Sequence, residues 1–331
     1  MLEHGGLLRR ASARYGIALE RWLDLSTGIN PRSWAGEPPP IEAWRRLPED
    51  EDGLAQAARE YYGAPNALPT AGSQAAILNL PRLRARCRVG VLTPGYAEHA
   101  ARWREAGHDV APVRPSQCAQ AAAELDVLVL INPNNPTGQR FTRSQLLDWH
   151  QKLLGRGGWL LIDETFADTD PKDSLASETH REGLVVLKSL GKFFGLAGAR
   201  VGFVLAADPL RRALAQRLGP WTVAGPSRTI AIQALRDRPW QADTRRRLRA
   251  DCERLAALLH RCALEPAGGC DLFQWVPTPH AALIHEHLAR SGILCRLFDS
   301  PSSLRFGLPG PEEDWRRLEA ALRSAPCEGG A

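Results

Sequence analysis

Five short apolar runs constrain the fold more than any other feature of this chain: Val89–Thr93, Val127–Asn132, Trp159–Asp163, Val185–Lys188 and Val201–Leu205. Each is too short for a helix of ordinary length, and most show no polar alternation, the pattern of strands buried on both sheet faces. Helical stretches are predicted at 54–62, 75–86, 97–106 and 143–154. The last has a clear start: Thr142 can cap it, Gln145 completes a capping box, and Phe141 can staple onto Leu146. Alternating strands and helices predict an α/β fold with an open, mainly parallel sheet covered on both faces.

From about residue 229 the pattern changes. An Arg-rich amphipathic helix (244–263) precedes a strand at Asp271–Val276, a helix at 280–291, strands at Ile293–Arg296 and Leu304–Gly307, and a last helix near 311–323. Three parts are therefore expected. An irregular arm and loop, 1–40, ends in Glu37-Pro38-Pro39-Pro40. A large domain spans 41–228, and a smaller α+β domain 229–331, whose tail from Cys327 to Ala331 reads as frayed.

Composition excludes several roles. No stretch approaches the roughly 18 apolar residues of a membrane span, and Met1–Arg14 lacks a signal-peptide core. Seven scattered cysteines without a CxxC pair read as reduced thiols, so a cytoplasmic location is expected. The net charge of +5 suits anionic ligands, but its basic residues are dispersed, which argues against nucleic-acid binding. Only four of the 42 basic residues are lysines, Lys152, Lys172, Lys188 and Lys192. A guanidinium stays charged and cannot attack a carbonyl, so two lysines within 188–192 mark the first place to look for covalent chemistry.

The segment Ser189-Leu-Gly-Lys192-Phe-Phe-Gly195-Leu-Ala-Gly198-Ala-Arg200-Val-Gly202 lies between two predicted strands, at the sheet edge where such folds bind ligands. It offers a Schiff-base amine at Lys192 and two phosphate ligands, Ser189 and Arg200. Asn132-Pro-Asn-Asn135-Pro136-Thr137-Gly138 makes a rigid turn that would hold Asn135 beside a ligand hydroxyl. Asp163 ends a buried strand, where a protonated pyridine nitrogen would serve as its partner. Gly72-Ser73-Gln74 opens a helix with free N–H groups, and Tyr96 sits where its ring can stack on a planar ligand. Singly, each also fits an ordinary turn, cap or core ring. Their combination in this order points to one ligand site.

In these motifs the chain resembles fold-type I enzymes that use pyridoxal 5′-phosphate (PLP), in the aminotransferase class I/II superfamily. The resemblance runs from His4 to about Leu322. It implies PLP on Lys192, Asp163 on the pyridine nitrogen, Asn135 on the 3′-oxygen and Tyr96 stacked on the ring, with Lys192, Asp163 and Tyr96 catalytic. Gly72, Ser73, Gln74, Ser189 and Arg200 would hold the cofactor phosphate, and Arg305 the substrate carboxylate. Within the superfamily the chain looks most like decarboxylases of L-threonine O-3-phosphate in cobalamin biosynthesis. This rests on His4-Gly5-Gly6, Asp24-Leu-Ser-Thr-Gly28-Ile29-Asn30-Pro31, Phe166 in place of a tyrosine, and Pro220-Trp221-Thr222-Val223. That likeness implies a small phosphorylated amino acid as substrate. Arg296, His4, Gly28 and Asn30 are its candidate ligands beside Arg305 and Asn135. A homodimer is also implied, although Leu47–Asp52 lacks the tyrosine by which related enzymes reach the partner's cofactor.

The nearest alternative is an aminotransferase of histidinol phosphate or a similar phosphorylated amino compound, since the cofactor motifs are shared. A nicotinamide dehydrogenase would need GxGxxG after an early strand, and Gly195, Gly198 and Gly202 lack that spacing. His280, His285 and His287 are poorly spaced for one metal, so none is expected. A non-catalytic sensor would have little use for Lys192, Asp163 and Arg305 together.

Overall fold

A computed structural model describes residues 4–326; the tail assigned from Cys327 onward lies outside them. The strands are, in chain order, β1 (Leu23–Asp24), β2 (Leu68–Thr70), β3 (Arg88–Leu92), β4 (Asp109–Val113), β5 (Val127–Ile131), β6 (Trp159–Asp163) and β7 (Leu184–Ser189). There follow β8 (Gly202–Ala206), β9 (Gly268–Cys270), β10 (Phe273–Pro277), β11 (Ile293–Leu294), β12 (Arg296–Asp299) and β13 (Ser302–Gly307).

The chain divides into two compact units. The larger holds residues 33–135 and 139–242; the smaller gathers, of the described residues, 4–32, 136–138 and 243–326. This differs from the expected arm, large domain and small domain. The first segment is not a separate arm: β1 pairs in parallel with β11, Leu23 opposite Ile293, so backbone hydrogen bonds tie it to the C-terminal part. Nor is it irregular throughout, because Leu8–Tyr15 forms a helix closed by Gly16 in the left-handed region.

The larger unit carries a seven-stranded sheet in the order β2-β8-β7-β6-β5-β3-β4. Only β8 runs against its neighbours. The five apolar runs appear as β3, β5, β6, β7 and β8, and all of Val127–Ile131 is buried. Each such side chain contributes roughly 1.5–3 kcal/mol, which makes the central strands the rigid part of the unit. Two strands of this sheet escape sequence reading, β2 and β4. Both are edge strands containing a proline, Pro69 and Pro112, which a ladder tolerates only at its margin.

Helices Leu54–Tyr62, Ala97–Glu105 and Arg143–Leu154 fall where predicted. The capping box forms as expected, with Gln145 N–H donating to Thr142 Oγ1 at 3.3 Å and Thr142 N–H to Gln145 Oε1 at 2.9 Å. Phe141 packs edge-on against Trp149 one turn further along, ring centroids 5.0 Å apart. The helix expected over 75–86 spans Ser73–Asn79 and tightens into a 3₁₀ turn at Leu80–Leu83, where Pro81 enters.

In the smaller unit a four-stranded antiparallel sheet runs β12-β13-β10-β9, with helices Ala281–Arg290 and Glu312–Arg323. The helix expected over 244–263 spans Arg238–Arg261.

Candidate active site

In the larger unit, chain order reverses between β3 and β5: from β3 the chain moves outward to β4, then returns to β5 on the other side. Open α/β sheets bind ligands at the carboxyl ends of strands beside such a reversal. The loops there hold most of the motifs. Asn134 Nδ2 donates to Pro94 O at 2.8 Å, joining the turn after β5 to the loop after β3. Asn132 braces the same turn through Phe141, donating to its carbonyl at 3.1 Å and accepting from its N–H at 2.9 Å. Asn135 sits in this turn, half-buried.

Asp163 ends β6 and is buried. Its Oδ1 accepts from the Thr165 N–H at 3.0 Å and from the Thr165 hydroxyl, while Oδ2 lies 3.0 Å from His99 Nε2. Burial works to raise this carboxyl, but the hydrogen bonds from His99 and Thr165 outweigh it and hold it below the usual carboxylate range. An ionised carboxylate can only accept, so the His99 ring donates. Sequence reading missed His99, although it lies three residues after Tyr96 on the same helical face. The Tyr96 ring meets it edge-on at 6.1 Å. The Tyr96 hydroxyl, pushed up to about 12 by burial, donates to Gln74 Oε1 at 3.2 Å, and Gln74 Nε2 donates to buried Glu98 at 3.0 Å.

A second cluster forms where β7 meets β8. Ser189 pairs with Gly202 in the antiparallel ladder, and Gly202 also faces Thr70 at the end of β2. A side chain at Gly202 would lie 2.5 Å from Ser73 N and 2.9 Å from Lys188 O, so only glycine admits the start of helix Ser73–Asn79 this close. At Gly72, φ is +73° and an added Cβ would lie 2.8 Å from Arg200 Nη2. The Arg200 guanidinium thus covers a bare stretch of backbone. Gly72, Ser73, Ser189 and Arg200 come together as one cationic, N–H-rich cradle suited to a phosphate.

Lys192 leads out of this cradle. Phe193 and Phe194 beside it are fully buried; Phe194 stacks on Trp240 at 5.7 Å and meets Tyr61 at 5.5 Å. These anchors leave Lys192 half-buried, with its Nζ 5.1 Å from the centre of the buried Phe166 ring.

The smaller unit brings the remaining predicted residues together. Gly6 N–H donates to Ser26 Oγ at 2.8 Å, so the His4-Gly5-Gly6 segment lies along the Asp24–Pro31 loop. His4 is exposed, Gly28 takes φ +60°, and buried Asn30 caps its own turn by accepting from Arg32 N–H at 3.0 Å. Arg305 in β13 donates to Ser26 O and lies 5.1 Å from the Phe273 ring. It stands directly opposite Arg296 of β12 in the ladder. Burial lowers Arg305 to about 10, so it remains charged at neutral pH. Like charges facing each other across a ladder destabilise it, and an anion between them relieves the cost.

These features define a class of protein. The sequence profile described as Aminotransferase class I and II matches residues 45–322, and the chain belongs to this family. More particularly, it is 56% identical over 322 residues to the threonine-phosphate decarboxylase of Pseudomonas aeruginosa, covering 97% of each chain. It is 42% identical over 329 residues to the threonine-phosphate decarboxylase of a Sinorhizobium species, covering 96% of this chain and 97% of that one. In fold it resembles the crystal structure of histidinol-phosphate aminotransferase from Sinorhizobium meliloti in complex with pyridoxal-5′-phosphate. The TM-score there is 0.81 at 20% identity, over 97% of this chain and 94% of the other.

Proposed function

We propose that this chain is a PLP-dependent carboxy-lyase that converts L-threonine O-3-phosphate to (R)-1-amino-2-propanol O-2-phosphate, a step of cobalamin biosynthesis. The observation that carries this reading is the 56% identity to a threonine-phosphate decarboxylase over nearly the whole of both chains. In sequence, the histidinol-phosphate aminotransferase of Pseudoalteromonas atlantica matches less of the chain at lower identity, 30% over 60% of it.

The residues present fit PLP. A buried aspartate kept ionised by His99 suits a protonated ring nitrogen, and the cradle that a side chain at Gly72 would fill suits the phosphate. PLP, when bound, supplies an electron sink conjugated to the substrate Cα. Asp163 would keep the proton on the ring nitrogen, Asn135 would bond the 3′-oxygen, and Tyr96 would lie against the ring. Gly72, Ser73, Gln74, Ser189 and Arg200 would hold the phosphate. The Lys192 amine would carry the aldehyde and return a proton to the substrate Cα.

Arg305 is assigned to the substrate carboxylate, and Arg296, with His4 and Asn30, to its phosphate, while Gly28 lines the substrate side. Fixing both anionic ends sets the torsion about Cα, which decides the bond that breaks; this is catalysis by orientation. Among the described residues six cysteines are free thiols, which supports our assignment of the chain to the cytoplasm. Ile41, Trp44 and Leu47 expose 55%, 67% and 64% of their surface from one short segment. Such a patch supports a homodimer, which sedimentation would test.

The decisive assay incubates purified protein with PLP and threonine phosphate while following carbon dioxide and the amine product together. Release of both is expected. Glutamate formation from added amino donor and 2-oxoglutarate, without carbon dioxide, would establish the aminotransferase instead.

A further inference from the structure

Beneath the strand ends, on the other side of the sheet from His99, lies a buried ionic cluster that the reading above does not use. Side chains alternate along β7: Val185 and Leu187 join the apolar cluster of one face, together with Leu161 of β6, and Lys188 takes the opposite face. Lys188 is 1% exposed. Its Nζ lies 2.7 Å from Glu164 Oε2, 3.5 Å from Asp168 Oδ1 and 4.9 Å from the centre of the Tyr62 ring. Both carboxylates are as buried as the lysine.

Each member is tied to a different part of the framework. Glu164 follows Asp163 directly, and its N–H donates to Leu187 O at 3.0 Å. Its carboxylate also accepts from the Ser174 hydroxyl and from the Leu175 N–H at 2.9 Å. Asp168 lies at the far end of the turn carrying Phe166, and the Tyr62 hydroxyl approaches it at 3.5 Å from helix Leu54–Tyr62. Lys188 stands four residues before Lys192.

Stability alone does not account for such a cluster. Well-packed apolar side chains of the same volume would serve as well or better, since desolvating the charges offsets much of their attraction. Ion pairs differ from apolar packing in imposing one geometry. We propose that Lys188, with Glu164 and Asp168, is a buried ionic clamp that positions Asp163 and Lys192 for the reaction. Lys188 is thus a positioning residue. The clamp sets the spacing between the end of β6, the turn holding Phe166 and the loop after β7. The inference rests on the assignment of Asp163 and Lys192 to the cofactor.

The test compares wild type with Glu164→Gln and with a charge-free triple variant, Lys188→Met, Glu164→Gln and Asp168→Asn. Three quantities are followed: the pH titration of the bound cofactor's visible absorption without substrate, kcat and KM for threonine phosphate, and thermal melting. In both variants the titration midpoint is expected to move. In the triple variant kcat should fall about 10- to 100-fold with KM nearly unchanged, as for a small misplacement of reacting groups; Glu164→Gln should shift both in the same direction by less. A folded triple variant with wild-type midpoint and kcat overturns the proposal. Should the triple variant not fold, an unchanged midpoint and kcat in Glu164→Gln overturn it equally. Failure of the wild type itself to bind PLP would instead refute the cofactor reading, a separate outcome.

Discussion

His99 Nε2 stands 3.0 Å from Asp163 Oδ2, and both side chains are buried. A carboxylate at the end of a covered strand would ordinarily take up a proton to escape desolvation. The imidazole donor prevents this and leaves the other oxygen to Thr165.

Replacing His99 by Ala is expected to weaken PLP binding and lower kcat about 10- to 100-fold, because a buried charged acceptor loses its donor. Spectrophotometric PLP titration and steady-state kinetics measure both effects. His99→Gln, which retains a donor, should lie between the alanine variant and wild type.

Arg200→Gln should leave the fold intact, since the side chain is exposed, while raising the PLP dissociation constant. Loss of a charge-assisted hydrogen bond of about 1.5–3 kcal/mol corresponds to about 10- to 150-fold. Equal melting temperatures of the two apoproteins, with unequal PLP affinities, would separate binding from folding.

Arg228→Ala tests how the acidic segment Leu47–Asp52 is held. Buried Arg228 donates to Asp52 at 2.5 and 2.8 Å and to Glu49 O at 2.9 Å. Asp52 is partly open to solvent, so its charge can rehydrate, and a loss of about 1–3 kcal/mol in urea unfolding is expected rather than the larger penalty of a sealed pair.

Acid stability should depend on Asp163. In the unfolded chain this carboxyl titrates near 3.8, and in the folded chain lower. Its stabilising contribution is therefore complete above 3.8 and is lost as pH falls through the folded value. Melting temperature followed from pH 6 to pH 2 should drop more steeply for wild type than for Asp163→Asn.

Much of this was legible in the chain itself because it is written locally. Apolar runs without alternation declare buried strands, and Thr142 with Gln145 declares a helix start. A lone pair of lysines in an arginine-dominated chain marks Lys192. The strands missed in the larger unit's sheet, β2 and β4, carry prolines that only their edge positions excuse, and helix Leu8–Tyr15 has no side-chain cap to announce it. Partners distant in sequence were decided by tertiary structure alone. His99 reaches Asp163 across 64 residues, Lys188 finds Glu164 just past the end of the neighbouring strand, and Arg296 faces Arg305 through a ladder. Strand order and register choose such partners, and both follow from burying the whole sheet at once, which no local window of sequence records.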